Sequence, residues 1–243
     1  YGAGRCYGDA ALNSSGNTVM RGARTRVLTI EQDPPSLIAD AGVSFSDLSA
    51  VLHPRQLTYP VAAATGAVTL GGALANDIHG KNHHGEGSFG NHVESLTMLL
   101  ADGSQVVVGP LQRPELFWAT VGGMGLTGVI LDATISLIPI ETSRMSVDTT
   151  RIADLDTLLA TMTEGDDDYR YSVAWIDPQA KGRSLGRSVL GRGDHARLDQ
   201  LGPKEAIEPL AYDAKQLVTV PPLVPPMGFI NHATVAAFNE MWY

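Results

Sequence analysis

Residues 69–91, TLGGALANDIHGKNHHGEGSFGN, concentrate the side chains best able to do chemistry. His79, His83 and His84 stand there with Asn76, Asp77 and Lys81, among Gly71, Gly72, Gly80, Gly85, Gly87 and Gly90. Glycine lets a backbone take positive φ or approach a ligand closely, at an entropic cost that an ordinary loop avoids. An imidazole titrates near neutrality and can hydrogen-bond a hydroxyl or take its proton. Residues 73–76 read as a short helix behind Gly71 and Gly72, whose N-terminus would offer free N–H groups to an anion such as a pyrophosphate. Residues 78–81 would then leave that helix carrying polar groups towards a reacting centre. A polar surface loop would have the same composition, so both readings stay open on this stretch alone. His79 and His83 also have the spacing of a helical metal pair, but Gly80 and Gly85 oppose a continuous helix. No HExxH glutamate is present, and no metal site is expected.

A second glycine-rich stretch is YGAGRCYGD, residues 1–9. Gly2, Gly4 and Gly8 with Arg5 could wrap a phosphate through backbone N–H groups, although a plain turn has the same pattern. The acidic run at residues 164–168 reads as a solvated turn.

The whole chain narrows the function classes. Its 243 residues suffice for one large domain or two small ones, and 44% hydrophobic with 18% charged residues is an ordinary soluble globular balance. A formal net charge of −9 argues against a broad nucleic-acid-binding face. The single cysteine, Cys6, excludes an internal disulfide and a cysteine-based zinc cluster. No run of about 18 apolar residues exists to span a membrane. Tyr1 opens directly on a glycine loop and the chain stops in apolar sequence, so both ends read as cut from something longer.

Several elements must position these residues. Residues 18–20, 27–30 and 37–42 read as short strands, with residues 21–26 a polar turn. Residues 46–52 read as a helix with Ser46 as N-cap, and residues 56–61 as extended chain. Residues 93–101 and 105–108 form a hairpin through Asp102–Gly103, whose Asp-Gly pair suits a type I′ turn. Pro114 starts a helix ended by Gly122–Gly123, and residues 129–138 alternate as a long strand closed by Pro139. Beyond residue 141 come a strand at 145–148 and an amphipathic helix at 152–162, with Leu155, Leu158, Leu159 and Met162 at helical spacing. Residues 169–176 read as a strand carrying Trp175. Residues 178–204 form a basic, mobile block with Lys181, Arg183, Arg187, Arg192, Arg197 and Lys204. Pro221–Pro222 and residues 225–228 mark an irregular segment.

Taken in order, GAGRCYGD, LGGALANDIHGKNHHGEGSFGNHV, the hairpin ADG and ELFWATVGGMGLTGVI resemble FAD-linked oxidases of the vanillyl-alcohol-oxidase type. Within that superfamily, DIHGKNHH followed by SFGNHV is similar to the branch that oxidises decaprenylphosphoryl-β-D-ribose in arabinan synthesis for the cell wall. The resemblance covers essentially the whole chain, including YSVAWID. It implies an α+β fold: a two-subdomain FAD-binding domain over residues 1–142, lacking its initial strands, then the opening part of an antiparallel-sheet substrate domain over 143–243.

Cofactor contacts carry over by position. Gly2, Gly4, Arg5, Cys6, Tyr7, Gly8, Asp9 and Ala10 fall in the first flavin loop. Thr69, Leu70, Gly71 and Gly72 fall in the second, followed by Asn76, Asp77, Ile78 and His79, and Ile130 matches a backbone contact. Ala64 departs from the family's glycine. Arg5 occupies the place where related oxidases carry a flavin-linked histidine, which implies non-covalent FAD. His79 and Lys81 are the implied catalytic residues. Tyr7, Lys81 and Trp175 are the implied substrate-pocket residues, although surface or core roles for Lys81 and Trp175 stay open.

The implied reaction takes the ribose 2′-hydroxyl to a ketone, with a polyprenyl-phosphate sugar as substrate and an NAD-dependent reductase as partner. The basic block would suit peripheral contact with a membrane at the cell envelope. The alternatives are an oxidase of another sugar, alditol or lactone, and a truncated, non-catalytic flavin-binding fragment.

Overall fold

The computed structural model describes residues 1–9, 11, 12, 16, 18, 25–212 and 230–243. The expected contact Ala10, the strand at 18–20 with most of the turn after it, and the proline-rich segment 221–228 lie outside the described residues, apart from Thr18, Thr25 and Arg26. The chain divides into two compact units, Tyr1–Arg144 with Ala196–Tyr212, and Met145–His195 with Asp213–Tyr243.

In the first unit, β1 (Val27–Gln32) and β2 (Pro35–Asp40) lead into α1 (Phe45–Leu52). There follow β3 (Leu57–Thr58), α2 (Leu70–Ala75), the single turn α3 (His83–Glu86), β4 (Val93–Leu99), β5 (Gln105–Val108), α4 (Pro114–Thr120), β6 (Val129–Ser136) and β7 (Ile138–Pro139). An antiparallel sheet of order β1-β2-β6-β4-β5 carries the core, while β3 pairs with β7. Alternation along β6 sends Leu131, Ala133 and Ile135 inward. Ala133 and Ile135 join Leu37, Leu48, Leu70, Leu74, Leu96 and Met98 in one continuous core. Phe45 sits edge-on to both Tyr59, at 4.7 Å between ring centroids, and Phe89, at 5.5 Å.

Two local expectations change. The N-cap of α1 is Ser44 rather than Ser46, because only Ser44 has an acid three residues on. Its hydroxyl accepts from the Asp47 N–H at 3.1 Å while the Asp47 carboxylate accepts from the Ser44 N–H at 3.3 Å, a capping box. The β4–β5 hairpin forms, but not through a type I′ turn. Gly103 takes φ +84° while Asp102 stays at negative φ, and Leu100 N–H donates to the Ser104 carbonyl at 2.9 Å. A longer loop with one left-handed glycine results.

The second unit is an antiparallel sheet of β8 (Met145–Ile152), β9 (Tyr171–Ile176) and β10 (Ser188–His195), in order β8-β10-β9, with α5 (Leu155–Gly165) and α6 (His232–Trp242). Helix α5 starts three residues later than expected because Asp154 caps it, accepting from the Thr157 N–H at 2.8 Å. Leu158 is buried with Ile152 and Leu190, whereas Leu159 is 56% exposed.

The basic block is not a mobile loop, since β10 is the middle strand of this sheet. Three of its six positive charges are held: Arg187 pairs with Asp177 at 2.7 Å and with Glu240, Arg192 lies over the Tyr169 ring at 4.8 Å, and Arg197 meets Asp199 at 3.1 Å. Glycines at 191 and 193 and the charged neighbours hid the strand's alternation.

Candidate functional site

The first glycine stretch folds as a loop against α2. Gly4 and Gly8 take φ +65° and +63°, which an L side chain rarely adopts. A Cβ on Gly2 would stand 2.7 Å from Thr69 Oγ1, so the loop lies directly on the N-cap of α2. Cys6 reaches the other end of that helix, its Sγ 3.9 Å from Asn76 Oδ1. The two glycine-rich stretches, separate in sequence, are thus neighbours. The backbone N–H groups of residues 2–8 find no acceptor among the described residues. Arg5 beside them is exposed and makes no ion pair among the described residues. Tyr7 is 99% exposed.

The N-terminus of α2 behaves differently from the expectation. Gly71 and Gly72 lie inside the helix, not before it. Leu70 N–H donates to the Val43 carbonyl at 2.8 Å, Gly71 N–H to the Ala41 carbonyl at 2.7 Å, and Gly72 N–H to Thr69 Oγ1 at 3.2 Å. The N–H groups expected to be free for an anion are therefore engaged by the protein. Gly71 is needed for close packing: a Cβ there would be 2.9 Å from Ala41 Cβ.

Past Asn76, which caps α2, Asp77 takes φ +42° and turns the chain. Ile78 N–H returns to the Ala73 carbonyl at 3.1 Å, and the chain then doubles back, with His79 bridged to Ser88 and Phe89 N–H donating to the Ile78 carbonyl at 2.8 Å. Both Asp77 carboxylate oxygens bind this returning strand, Oδ2 accepting from Ser88 Oγ at 2.7 Å and Oδ1 from Gly90 N–H at 2.9 Å. His79 is exposed, and its ring meets the His83 ring edge-on at 5.6 Å. Lys81 is exposed, while Asn82 is fully buried and donates from Nδ2 to the Pro60 carbonyl at 2.7 Å.

Ile130 is half-buried in β6 opposite Met98, packed on the core, and Ala64 is exposed. Trp175 belongs to the second unit, where its ring lies 6.2 Å from that of Phe238. Gly90, which helps fix the His79 hairpin, stood among the glycines of the stretch, but Ser88 and Asn82 were not singled out by sequence. The only hint was their place within the same glycine-rich stretch.

A loop whose N–H groups and Arg5 guanidinium are unengaged among the described residues, with glycines where a Cβ would collide, fits the diphosphate of a dinucleotide. Residues 1–109 match the FAD binding domain family. The chain is 43% identical over 244 residues to the decaprenylphosphoryl-beta-D-ribose oxidase of Mycolicibacterium smegmatis, covering 100% of this chain and 53% of that protein. It is 38% identical over 192 residues to an uncharacterized protein of Streptomyces coelicolor, covering 79% of this chain and 51% of that one. With the L-gulonolactone oxidase of Mus musculus it shares 28% identity over 140 residues, 57% of this chain and 31% of the enzyme. The chain spans about half the length of the first two relatives. Over residues 1–109 the chain matches the FAD binding domain family, and along its whole length it is similar to a decaprenylphosphoryl-ribose oxidase.

Proposed function

We propose that this chain serves the FAD-dependent oxidation of a secondary sugar alcohol, the 2′-hydroxyl of decaprenylphosphoryl-β-D-ribose, to the 2′-keto form used in arabinan precursor synthesis. The observation that carries the reading is the identity with a decaprenylphosphoryl-ribose oxidase along the entire chain, through the His79 hairpin and into the second unit. FAD, when bound, supplies the hydride acceptor. The N–H groups of residues 2–8 and the Arg5 guanidinium would hold its diphosphate. Gly71, Gly72, Asn76, Ile78 and Ile130 would contribute surface against the rest of it, while the buried Thr69 and Leu70 would support α2 from behind. Arg5 has no nucleophilic atom suited to a flavin bond, so the FAD is held non-covalently and leaves on denaturation.

His79 would accept the hydroxyl proton on an imidazole nitrogen, and Lys81 would meet the substrate phosphate with its ammonium. Tyr7 offers an aromatic face in the first unit, and Trp175 one on the second unit's sheet. In the same proposal residues 1–142 form the FAD-binding domain and 143–243 the opening of a substrate domain. An NAD-dependent reductase partner would take the ketone onward, and a lipid-borne substrate would bring peripheral contact with a membrane. Among the described residues no helix is long and apolar enough to cross one.

The likeness to L-gulonolactone oxidase supports a second reading, oxidation of a sugar lactone. Anaerobic flavin reduction by polyprenyl-phosphoribose and by L-gulonolactone, measured on the full-length flavoprotein, separates the two. The phosphoribose should reduce the flavin and the lactone should not. His79→Ala should keep its FAD and slow that reduction by about 10²-fold. Reduction by the lactone alone would reject the substrate, and an unchanged rate in His79→Ala would reject its role.

A further inference from the structure

Among the described residues the imidazole of His79 has one ring contact, with His83, itself exposed, so the position of His79 is set chiefly by its backbone. That backbone is fixed from Asp77. The two oxygens of the Asp77 side chain bridge to residues 11 and 13 positions further along, at Ser88 Oγ and Gly90 N–H. Ser88 is the bridge partner of His79, and Gly90 follows Phe89, which is fully buried in the core against Phe45. The fit is close on the far side too, since a Cβ on Gly90 would stand 3.0 Å from Asp77 Oδ1 and 2.4 Å from Val121 Cγ1. An exposed imidazole is thereby tied through one side chain to the interior. Asp77 does this from a left-handed backbone that disfavours most L residues and that Asp and Asn tolerate best.

Both Asp77 oxygens are turned towards protein donors, which is the arrangement of a positioning group. We infer that the Asp77 carboxylate positions His79, by locking residues 77–90 into a hairpin preorganised for the reaction. The inference rests on the reading of His79 as the group beside the reacting hydroxyl. Misplacing such a group by about 1 Å can cost on the order of 10²-fold in rate.

Asp77→Ala removes both bonds. Asp77→Asn retains an oxygen for the Gly90 N–H and an amide that can donate to Ser88 Oγ, and Asn suits the same φ. Ser88→Ala removes one bond and leaves the backbone at 77 untouched, which keeps the question answerable if Asp77→Ala does not fold. The first readout is amide hydrogen exchange across residues 78–90 in the full-length protein with and without FAD. Asp77→Ala should raise exchange there in both states, Ser88→Ala should raise it less, and Asp77→Asn should match the unsubstituted protein. Unaltered exchange in Asp77→Ala, or in Ser88→Ala if the former does not fold, overturns the inference whatever the substrate is.

The second readout is substrate-driven flavin reduction in a double-mutant cycle with His79→Ala. Asp77→Ala should be about 10- to 100-fold slow with FAD retained, and Asp77→Asn within about 3-fold of the unsubstituted rate. In the His79→Ala background, Asp77→Ala should add nothing, because a group acting through His79 has nothing left to position. An undiminished second loss, or a loss of FAD in Asp77→Asn, overturns the inference and leaves the His79 reading intact. A full rate in His79→Ala overturns both.

Discussion

The two units of the chain are stabilised by different means. In the first, Leu37, Phe45, Leu48, Leu70, Leu74, Phe89, Leu96 and Ile135 are all buried to 1% exposure or less in one core spanning sheet, helices and the base of the His79 hairpin. In the second, the buried apolar cluster consists of Ile152, Leu158 and Leu190, and an ionic hub lies beside it. Asp177, 2% exposed, accepts from the Gln179 N–H, the Arg187 guanidinium and Asn239 Nδ2. Arg187 also pairs with Glu240 and lies 4.8 Å from the Tyr243 ring centroid, so the hub fastens α6. An apolar frame holds its shape across pH and lets exposed polar residues be placed on it with few bonds of their own. An ionic frame depends on the charge of its members.

The largest effect expected from this contrast is in the first unit. Phe89→Ala removes a buried ring between the core and the His79 hairpin and should cost about 3–5 kcal/mol in equilibrium unfolding, with little dependence on pH. A loss below about 1 kcal/mol would mean that the core does not reach the hairpin.

A smaller effect, and one that changes with pH, is expected in the second. Burial pushes the Asp177 carboxyl up, but the Gln179 N–H, Arg187 and Asn239 outweigh it and hold it below the usual carboxylate range. A carboxylate lowered in the folded state stabilises that state above its unfolded value of about 3.9, and the contribution fades as pH falls through the lower, native value. Asp177→Asn should therefore cost about 2–3 kcal/mol near neutral pH, measured by denaturant unfolding, and the gap to the unsubstituted protein should begin to narrow below about pH 4 and shrink further as pH falls through the native value. Parallel stability–pH curves for the two proteins would remove the distinction between the units.

What the sequence revealed follows the same division. The β4–β5 hairpin, α4 and the inward face of β6 were legible because apolar residues recur at strand or helix period and Pro114 marks its helix start. Strand β10 was not, because Gly191, Arg192, Gly193 and Asp194 break the apolar alternation that would announce it. Leu159 had the spacing of a buried residue but is not covered by any element among the described residues. In the candidate site, residue types and glycine density pointed to both glycine-rich stretches. Their contact, Gly2 against Thr69, is set by tertiary packing and has no signature in spacing. For the same reason the free N–H groups were expected on α2, whereas neighbouring carbonyls of Ala41 and Val43 take them up. The bonds from Asp77 to Ser88 and Gly90 were likewise invisible, since a carboxylate gives no sign in sequence of which distant donor it will meet.

The central claim is that residues 1–9 and the segment from Thr69 to His79 close on one FAD. FAD affinity of Gly2→Val tests it most directly, because a side chain at this position drives the first loop off Thr69 without entering the core. The account predicts a dissociation constant raised by at least about 10-fold, roughly 1.4 kcal/mol, with an unchanged far-ultraviolet circular dichroism spectrum. An affinity equal to that of the unsubstituted protein would contradict it.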